Sequence, residues 1–208
     1  YESTGERDWL DWAGGLMDRV WADYRDESGG GLFDTALGRT DEAGLLPARA
    51  KPIQDAPTPS PNGVAAVVMT RLHELTGEPR WKDHAAGLVA AFAGRAGELG
   101  LHAATYLLAL DWQLNPATHL VVVGNPREVA ALAMHQEALS GFVPRRVVQL
   151  VDGGDTSRQT VPAAIRGMLS GGNGPRGFAC TGTTCSQPAG DLETWRATLE
   201  SIRVAVPA

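Results

Sequence analysis

Two aspartates lie in a long polar segment between two helical stretches, and a pair of carboxylates is the minimum needed for acid–base chemistry at a sugar. Asp34 follows Phe33 after three glycines, and Asp55 lies in the sequence QDAP. Side chains held in a long loop above a helical scaffold commonly carry binding or catalysis. The sequence therefore predicts Asp34 and Asp55 as catalytic residues. The alternative is that each carboxylate caps a helix or a turn.

Four further polar side chains of the same segment are candidates for ligand binding. Arg49 and Lys51 alternate with Ala50, so an extended backbone places both cations on one side. There they could hold an anionic group, or lower the pKa of the aspartates. Ser60 and Asn62 could bind ligand hydroxyls. The alternative is again local, since either residue is well placed to cap the helix that follows.

The two cysteines, Cys180 and Cys185, form a C-x4-C pattern. This spacing differs from the C-x-x-C of redox motifs, and two thiols without a nearby histidine are too few for structural zinc. The pattern favours two small buried thiols, and a reversible disulfide with a redox role stays open as the alternative. The five histidines show no metal-binding spacing, so the sequence predicts neither a metal site nor a cofactor.

Helices must position these candidates, because residues 29–66 are long for a connection inside a compact domain. The six tryptophans fall mostly at apolar helix positions and are predicted to lie in the core. Pro79 suits the first turn of a helix. Apolar residues at three- and four-residue spacing predict four helices, joined as antiparallel neighbours by short connections, at residues 6–24, 62–76, 79–92 and 102–114.

After Pro116 the pattern changes to short apolar runs that alternate with helices. His119 to Val123 is continuously apolar or β-branched, which is typical of a strand buried on both faces. Asn125 is the predicted cap of the next helix, and Asp191 that of the last. The predicted strands are residues 119–123, 146–151 and 177–180. The predicted helices run from the Asn125 cap to about residue 139, over residues 161–169 and from residue 191 to residue 202.

The predicted fold class is therefore mixed α and α/β. Residues 1–116 form antiparallel helical hairpins, and residues 117–208 form a small β-α-β-α-β-α unit. A net charge of -6 argues against non-specific binding to nucleic acid or to an anionic membrane. The chain starts at Tyr1 and shows no signal-peptide pattern, so we expect a piece of a longer protein with a cytoplasmic location by default.

Several motifs together resemble one family. They are GGLFDT at residues 30–35, R-x-K-x-x-x-D-A-x-x-P-S-x-N-x-x-A-A at 49–66, RLHELTGEPRW at 71–81, HLVVVG at 119–124 and FACTGTTCSQPAGD at 178–191. They are similar to the C-terminal part of thioredoxin-domain proteins of the spermatogenesis-associated type. The resemblance covers nearly the whole chain. One departure is Gly63, where the family commonly has serine after the asparagine.

The resemblance implies a thioredoxin-like domain, then a helical toroid similar to six-hairpin glycosidases and N-acylglucosamine epimerases, then a small α/β end. This chain would hold the last hairpins of an incomplete (α/α) toroid together with that end. Its partners would be a carbohydrate-like small molecule and the missing N-terminal part of the same protein. The missing hairpins would leave a large apolar face.

The first functional hypothesis is a site at the toroid mouth that binds or transforms a carbohydrate-like molecule by glycosidase-like or epimerase-like chemistry. The second is a non-catalytic binding module that accompanies a thioredoxin-like domain, with the long loop as a structural clasp. The third is a redox role for Cys180 and Cys185. Fold resemblance does not by itself fix function, so the choice depends on the site.

Overall fold

The computed structural model describes residues 1–38, 49–152, 166–167, 169 and 174–204, with side chains to residue 202. The helices are α1 (Arg7–Tyr24), α2 (Pro61–Thr76), α3 (Pro79–Phe92), α4 (Ala96–Leu99), α5 (Ala104–Leu114), α6 (Val129–Ser140) and α7 (Leu192–Val204), with a 3-10 turn at Gly100–Ala103. The strands are β1 (Thr118–Val123), β2 (Arg146–Val151), β3 (Arg176–Thr181) and β4 (Thr184–Cys185). The prediction of a mixed helix and sheet protein is confirmed, and the toroid stays a prediction.

The chain divides into two compact units. The helical unit comprises Leu10–His73 and Glu78–Asn115. The sheet unit comprises Tyr1–Trp9, Glu74–Gly77 and Pro116–Ala208.

In the helical unit, α3 shows how apolar spacing makes a core. Pro79 occupies its first turn, as predicted, where the missing N–H costs nothing. Its buried side chains recur at helical spacing and are Trp81, Ala85, Leu88, Val89 and Phe92. A close approach of α2 to α5 adds to this core. A Cβ on Gly63 would lie 2.9 Å from backbone atoms of Thr105 and Tyr106, so glycine permits the contact.

The prediction that the tryptophans lie mostly in the core is wrong for α1. Trp81 and Trp195 are fully buried, but Trp9 is 50% and Trp12 62% exposed. The reason is that the apolar residues of α1 form one wide face of the helix, and only Leu10 on that face is buried.

The sheet unit is built on β1, at the centre of the order β2-β1-β3-β4. β2 pairs parallel to β1, whereas β3 pairs antiparallel to it. Leu120 and Val122 pack into one apolar cluster that contains Trp195 of α7, and Val121 and Val123 pack into another. This two-sided burial explains the continuous apolar run of β1.

Two predictions about helix ends fare differently. Asp191 caps α7 as predicted, because its Oδ1 accepts the Thr194 N–H at 2.8 Å, and this hydrogen bond lowers the pKa of Asp191. The predicted cap at Asn125 is wrong. Asn125 Oδ1 instead accepts the Arg127 N–H at 2.9 Å in a turn, and α6 begins only after Glu128. The predicted helix at 161–169 lies almost entirely outside the described residues.

No helix in the described part of the chain is long and apolar enough to cross a membrane. Among the same residues, no three His, Cys, Asp or Glu side chains come together as a metal site.

Candidate functional site

The long loop is tied to α2 by the side chain of Asn62, which is only 2% exposed. Asn62 Oδ1 accepts the Leu32 N–H at 2.7 Å. Its Nδ2 donates to the carbonyl oxygens of Leu32 at 2.9 Å and Pro52 at 2.8 Å. One buried amide therefore joins both ends of the loop to the first turn of a helix.

Ser60 is the N-cap of α2, as the local alternative predicted. Its Oγ accepts the Gly63 N–H at 3.2 Å and donates to the Pro52 carbonyl at 3.3 Å. Like Asn62, Ser60 is buried, so both hydroxyl-binding candidates are hydrogen-bonded inside the protein.

Asp55 joins the loop to the start of α5. Oδ1 accepts the Ser60 N–H at 2.7 Å, and Oδ2 accepts the Thr105 N–H at 2.8 Å. Burial pushes the pKa of Asp55 up, but the N–H donors of Thr105 and Ser60 outweigh burial and hold the pKa below its ordinary value. The carboxylate therefore stays ionised and acts as a hydrogen-bond acceptor.

Asp34 is exposed and pairs with the returning end of the loop. Its Oδ1 accepts the Ala50 N–H at 3.1 Å, and its own N–H donates to the Ala50 carbonyl at 2.8 Å. Arg49 donates to the Thr35 carbonyl at 2.6 Å, and its guanidinium lies 3.9 Å from the centre of the Phe33 ring.

Lys51 makes an ion pair that the sequence interpretation missed. Its Nζ binds Asp26 Oδ2 at 2.8 Å and donates to the Gly30 carbonyl at 2.9 Å. Asp26 also accepts N–H groups from Ser28 and Gly29. The Lys51 ammonium, followed by these N–H donors, holds the pKa of Asp26 far below its ordinary value. The sequence signal was the aspartate ahead of Ser28 and the glycines, a pattern typical of a side-chain-stabilised turn.

A cleft of about 410 Å³ lies beside this ion pair, and we call it the Trp21 cleft. Its lining residues are Trp21, Arg25, Asp26, Glu27, Gly30, Gly31 and Gly87. The Trp21 ring stacks on His84, with ring centres 3.8 Å apart. The Arg25 guanidinium lies 5.8 Å from the Trp21 ring and pairs with Glu27.

His84 supports the indole as a neutral ring. Burial, and then the charges of Arg80 and Arg25, lower its pKa. A neutral imidazole stacked on Trp21 fixes the orientation of the indole without adding a charge to the cleft.

Cys180 and Cys185 form a disulfide, so the prediction of two buried thiols is wrong. The residues lie directly opposite each other in the β3–β4 pair, with Cα atoms 4.0 Å apart. Gly182, with φ of 58°, lies in the turn that brings the two strands together. The sequence interpretation missed β4 because it has only two residues.

No protein-family model matches the chain. The chain is 35% identical over 159 residues to spermatogenesis-associated protein 20 of Rattus norvegicus, across 76% of this chain and 20% of the relative. The human protein of the same name is 32% identical over 196 residues, across 92% of this chain. The chain is homologous to part of spermatogenesis-associated protein 20.

This homology confirms the predicted resemblance to a spermatogenesis-associated protein. The chain spans 24% of the length of the human spermatogenesis-associated protein 20 and 20% of the rat protein. The thioredoxin-like domain and the toroid stay predictions.

Asp26, in the turn before the long loop, and Asp55, within the loop, give a pH prediction for the helical unit. Asp26 and Asp55 have depressed folded-state pKa values, so their stabilisation is complete above the ordinary carboxyl pKa and is lost as pH falls through the depressed values. We expect the urea concentration at the midpoint of unfolding of the helical unit to decrease as the pH is lowered below about 4 to 5. The Asp26→Asn variant should show a smaller fall over the same range. An equal fall in both proteins would contradict the assignment to Asp26.

Proposed function

We propose that the helical unit binds a carbohydrate-like small molecule in the Trp21 cleft without transforming it, and that the long loop is the clasp that shapes this cleft. The observation that carries the proposal is the composition of the cleft, in which an indole adjoins a guanidinium and two carboxylates.

The cleft has the size and the groups that a sugar needs. Its volume of about 410 Å³ falls in the usual range for small-molecule sites. The apolar face of a sugar ring can pack on Trp21, whose polar edge and apolar body suit such contacts. The Arg25 guanidinium supplies donors, and the Glu27 carboxylate supplies acceptors, for hydroxyl groups.

The loop supports binding rather than turnover. Lys51 joins Asp26 and Gly30, which are both cleft residues. Both oxygens of Asp55 accept backbone N–H groups, and its pKa is depressed. A general acid at a sugar needs a raised pKa instead, which favours a structural role for Asp55.

A steric variant tests the cleft without disturbing the fold. A Cβ on Gly87 would meet no atom within 4 Å, so Gly87→Met should fill the cleft while α3 persists. We expect a thermal-shift screen of mono- and disaccharides, sugar phosphates and uronic acids to find a ligand. At a concentration of a hundred times its dissociation constant, this ligand should add about 2.7 kcal/mol to the free energy of unfolding. Gly87→Met should raise the dissociation constant of that ligand at least about tenfold, which corresponds to a loss of about 1.4 kcal/mol of binding free energy.

Gly15→Met is the matched control, because Gly15 is a helix glycine with equally open surroundings outside the cleft. It should leave affinity unchanged. Ligand binding that survives Gly87→Met but disappears in Asp34→Asn or Asp55→Asn would place the site in the loop instead. If no compound in the screen binds, the proposal is wrong.

The exposed face of α1 favours a second candidate, an interaction module. Trp12 and Leu16, both in the helical unit, are 62% and 45% exposed and lie on one side of the helix. Their proposed partner is an apolar helix from the part of the longer protein outside these residues, since the relatives extend well beyond the matched region. We expect the 208-residue chain to bind a hydrophobic dye and Trp12→Lys to bind several-fold less. Equal dye binding by both proteins would count against this surface.

A further inference from the structure

We propose that the Cys180–Cys185 disulfide is a site of reversible thiol–disulfide exchange, reduced by a dithiol that attacks the sulfur of Cys185. The inference depends on the sheet unit alone and is independent of the sugar cleft.

The two cysteines differ in accessibility, which selects the attacked sulfur. Cys185 is exposed and lies on β4, a two-residue strand at the edge of the sheet. Cys180 is 5% exposed and lies inside β3. An incoming thiolate needs access to the sulfur that it attacks, so Cys185 receives the reductant and Cys180 is the leaving group.

The hairpin does not need the disulfide to keep its register. The Ser186 N–H donates to the Ala179 carbonyl at 2.8 Å, and the Ala179 N–H donates to Ser186 Oγ at 3.2 Å. Gly177 and Ala189 exchange two backbone hydrogen bonds, both of 2.9 Å. Because these hydrogen bonds do not depend on the disulfide, we expect reduction to leave the two thiols opposite each other, so that the bond can form again.

The small ring closed by the disulfide favours the same conclusion. The cysteines are five positions apart, and a short loop gains little stability from closure in the chain-entropy model. Reduction therefore costs less stability than the loss of a disulfide that closes a long loop, and the exposed position of Cys185 lets the exchange proceed without unfolding.

The chemistry balances with a dithiol as the reductant. A thiolate of the dithiol bonds to Cys185 Sγ, the Sγ–Sγ bond breaks, and Cys180 leaves as a thiolate that takes up a proton. The second thiol of the reductant then attacks the mixed disulfide, and Cys185 leaves as a thiolate. The protein gains two electrons and two protons, and the reductant becomes a cyclic disulfide. The second thiol must come from the reductant, because Cys180 is then the only free thiol of the 208-residue chain and its attack on the mixed disulfide would reverse the first step. A dithiol supplies both thiols in one molecule.

A thiol count on the native 208-residue chain tests the proposal, because the chain has two cysteines. We expect no titratable thiol in the oxidised protein and two per chain after millimolar dithiothreitol in the absence of denaturant. Circular dichroism should be unchanged, and oxidised glutathione should remove both thiols again. The proposal would be overturned if dithiothreitol reduced the disulfide only when urea was added, or if the purified protein showed two thiols per chain before any dithiothreitol was added.

Two single variants identify the attacked sulfur. Cys180→Ala leaves the exposed Cys185, and Cys185→Ala leaves the buried Cys180. Both variants lack the disulfide, so each presents a single free thiol whose reaction rate can be compared directly. We expect the thiol of Cys180→Ala to react with a disulfide reagent at least tenfold faster than that of Cys185→Ala. Equal rates, or a faster reaction at Cys180, would contradict attack at Cys185.

Discussion

Replacing Asn62 with alanine should lower the free energy of unfolding by about 4 kcal/mol, because each buried polar group that loses its partner costs about 1 to 3 kcal/mol. The change removes the partner of the Leu32 N–H and of the Leu32 carbonyl oxygen. It also removes one of the two donors to the Pro52 carbonyl, which keeps the Ser60 hydroxyl. Asn62 is 2% exposed, so water does not replace the lost hydrogen bonds without further opening. Urea unfolding followed by circular dichroism measures the loss.

Gln54→Ala is the control, because Gln54 is an exposed amide in the same loop. Its effect should stay within about 0.5 kcal/mol. If the two variants lost similar amounts of stability, the clasp assigned to Asn62 would be wrong.

Gly177→Ala should destabilise the sheet unit by about 3 kcal/mol, at the upper end of the usual cost of overpacking. A Cβ at this position would lie 2.6 Å from two ring atoms of Trp195 and 3.0 Å from Met134 Cε. Trp195 cannot move aside easily, since it is fully buried and its Nε1 donates to the Met134 carbonyl at 2.9 Å. Thermal unfolding of the variant provides the measurement.

A double-mutant cycle separates steric conflict from other effects of the change. Trp195→Leu is itself destabilising, but it removes the ring atoms, so Gly177→Ala should cost at least about 1.5 kcal/mol less in that background. Gly190→Ala is an independent control, because a Cβ there would meet no atom within 4 Å. Additive losses in the cycle would show that Trp195 is not the obstacle.

The elements that the sequence predicts well are those fixed by local chemistry. Pro79 opens α3, Asp191 caps α7 and Ser60 caps α2, because each acts on backbone groups within a few residues. β1 is predictable because its apolar run fits a strand buried on both faces. Asn125 shows the limit of this reasoning, since the same asparagine can stabilise a turn or a helix start and the sequence does not choose between them.

The candidate site depends on contacts between distant residues, which local patterns do not specify. The cleft joins Trp21 to Gly87, and Asp55 binds the N–H of Thr105. The disulfide depends on strand register, which places Cys180 opposite Cys185. The need for glycine at residue 63 likewise follows from a contact with α5, which is distant in the sequence.

Each compact unit holds one fully buried indole, Trp81 in the helical unit and Trp195 in the sheet unit. Light emission from an indole shifts to longer wavelength when water reaches it, so the chain carries a separate natural optical reporter for each unit. A chain that retains one of the two buried indoles and has phenylalanine at the other tryptophan positions would report the unfolding of that unit through the wavelength of its fluorescence. Coincident shifts would mark a single cooperative transition, and separate shifts would mark two.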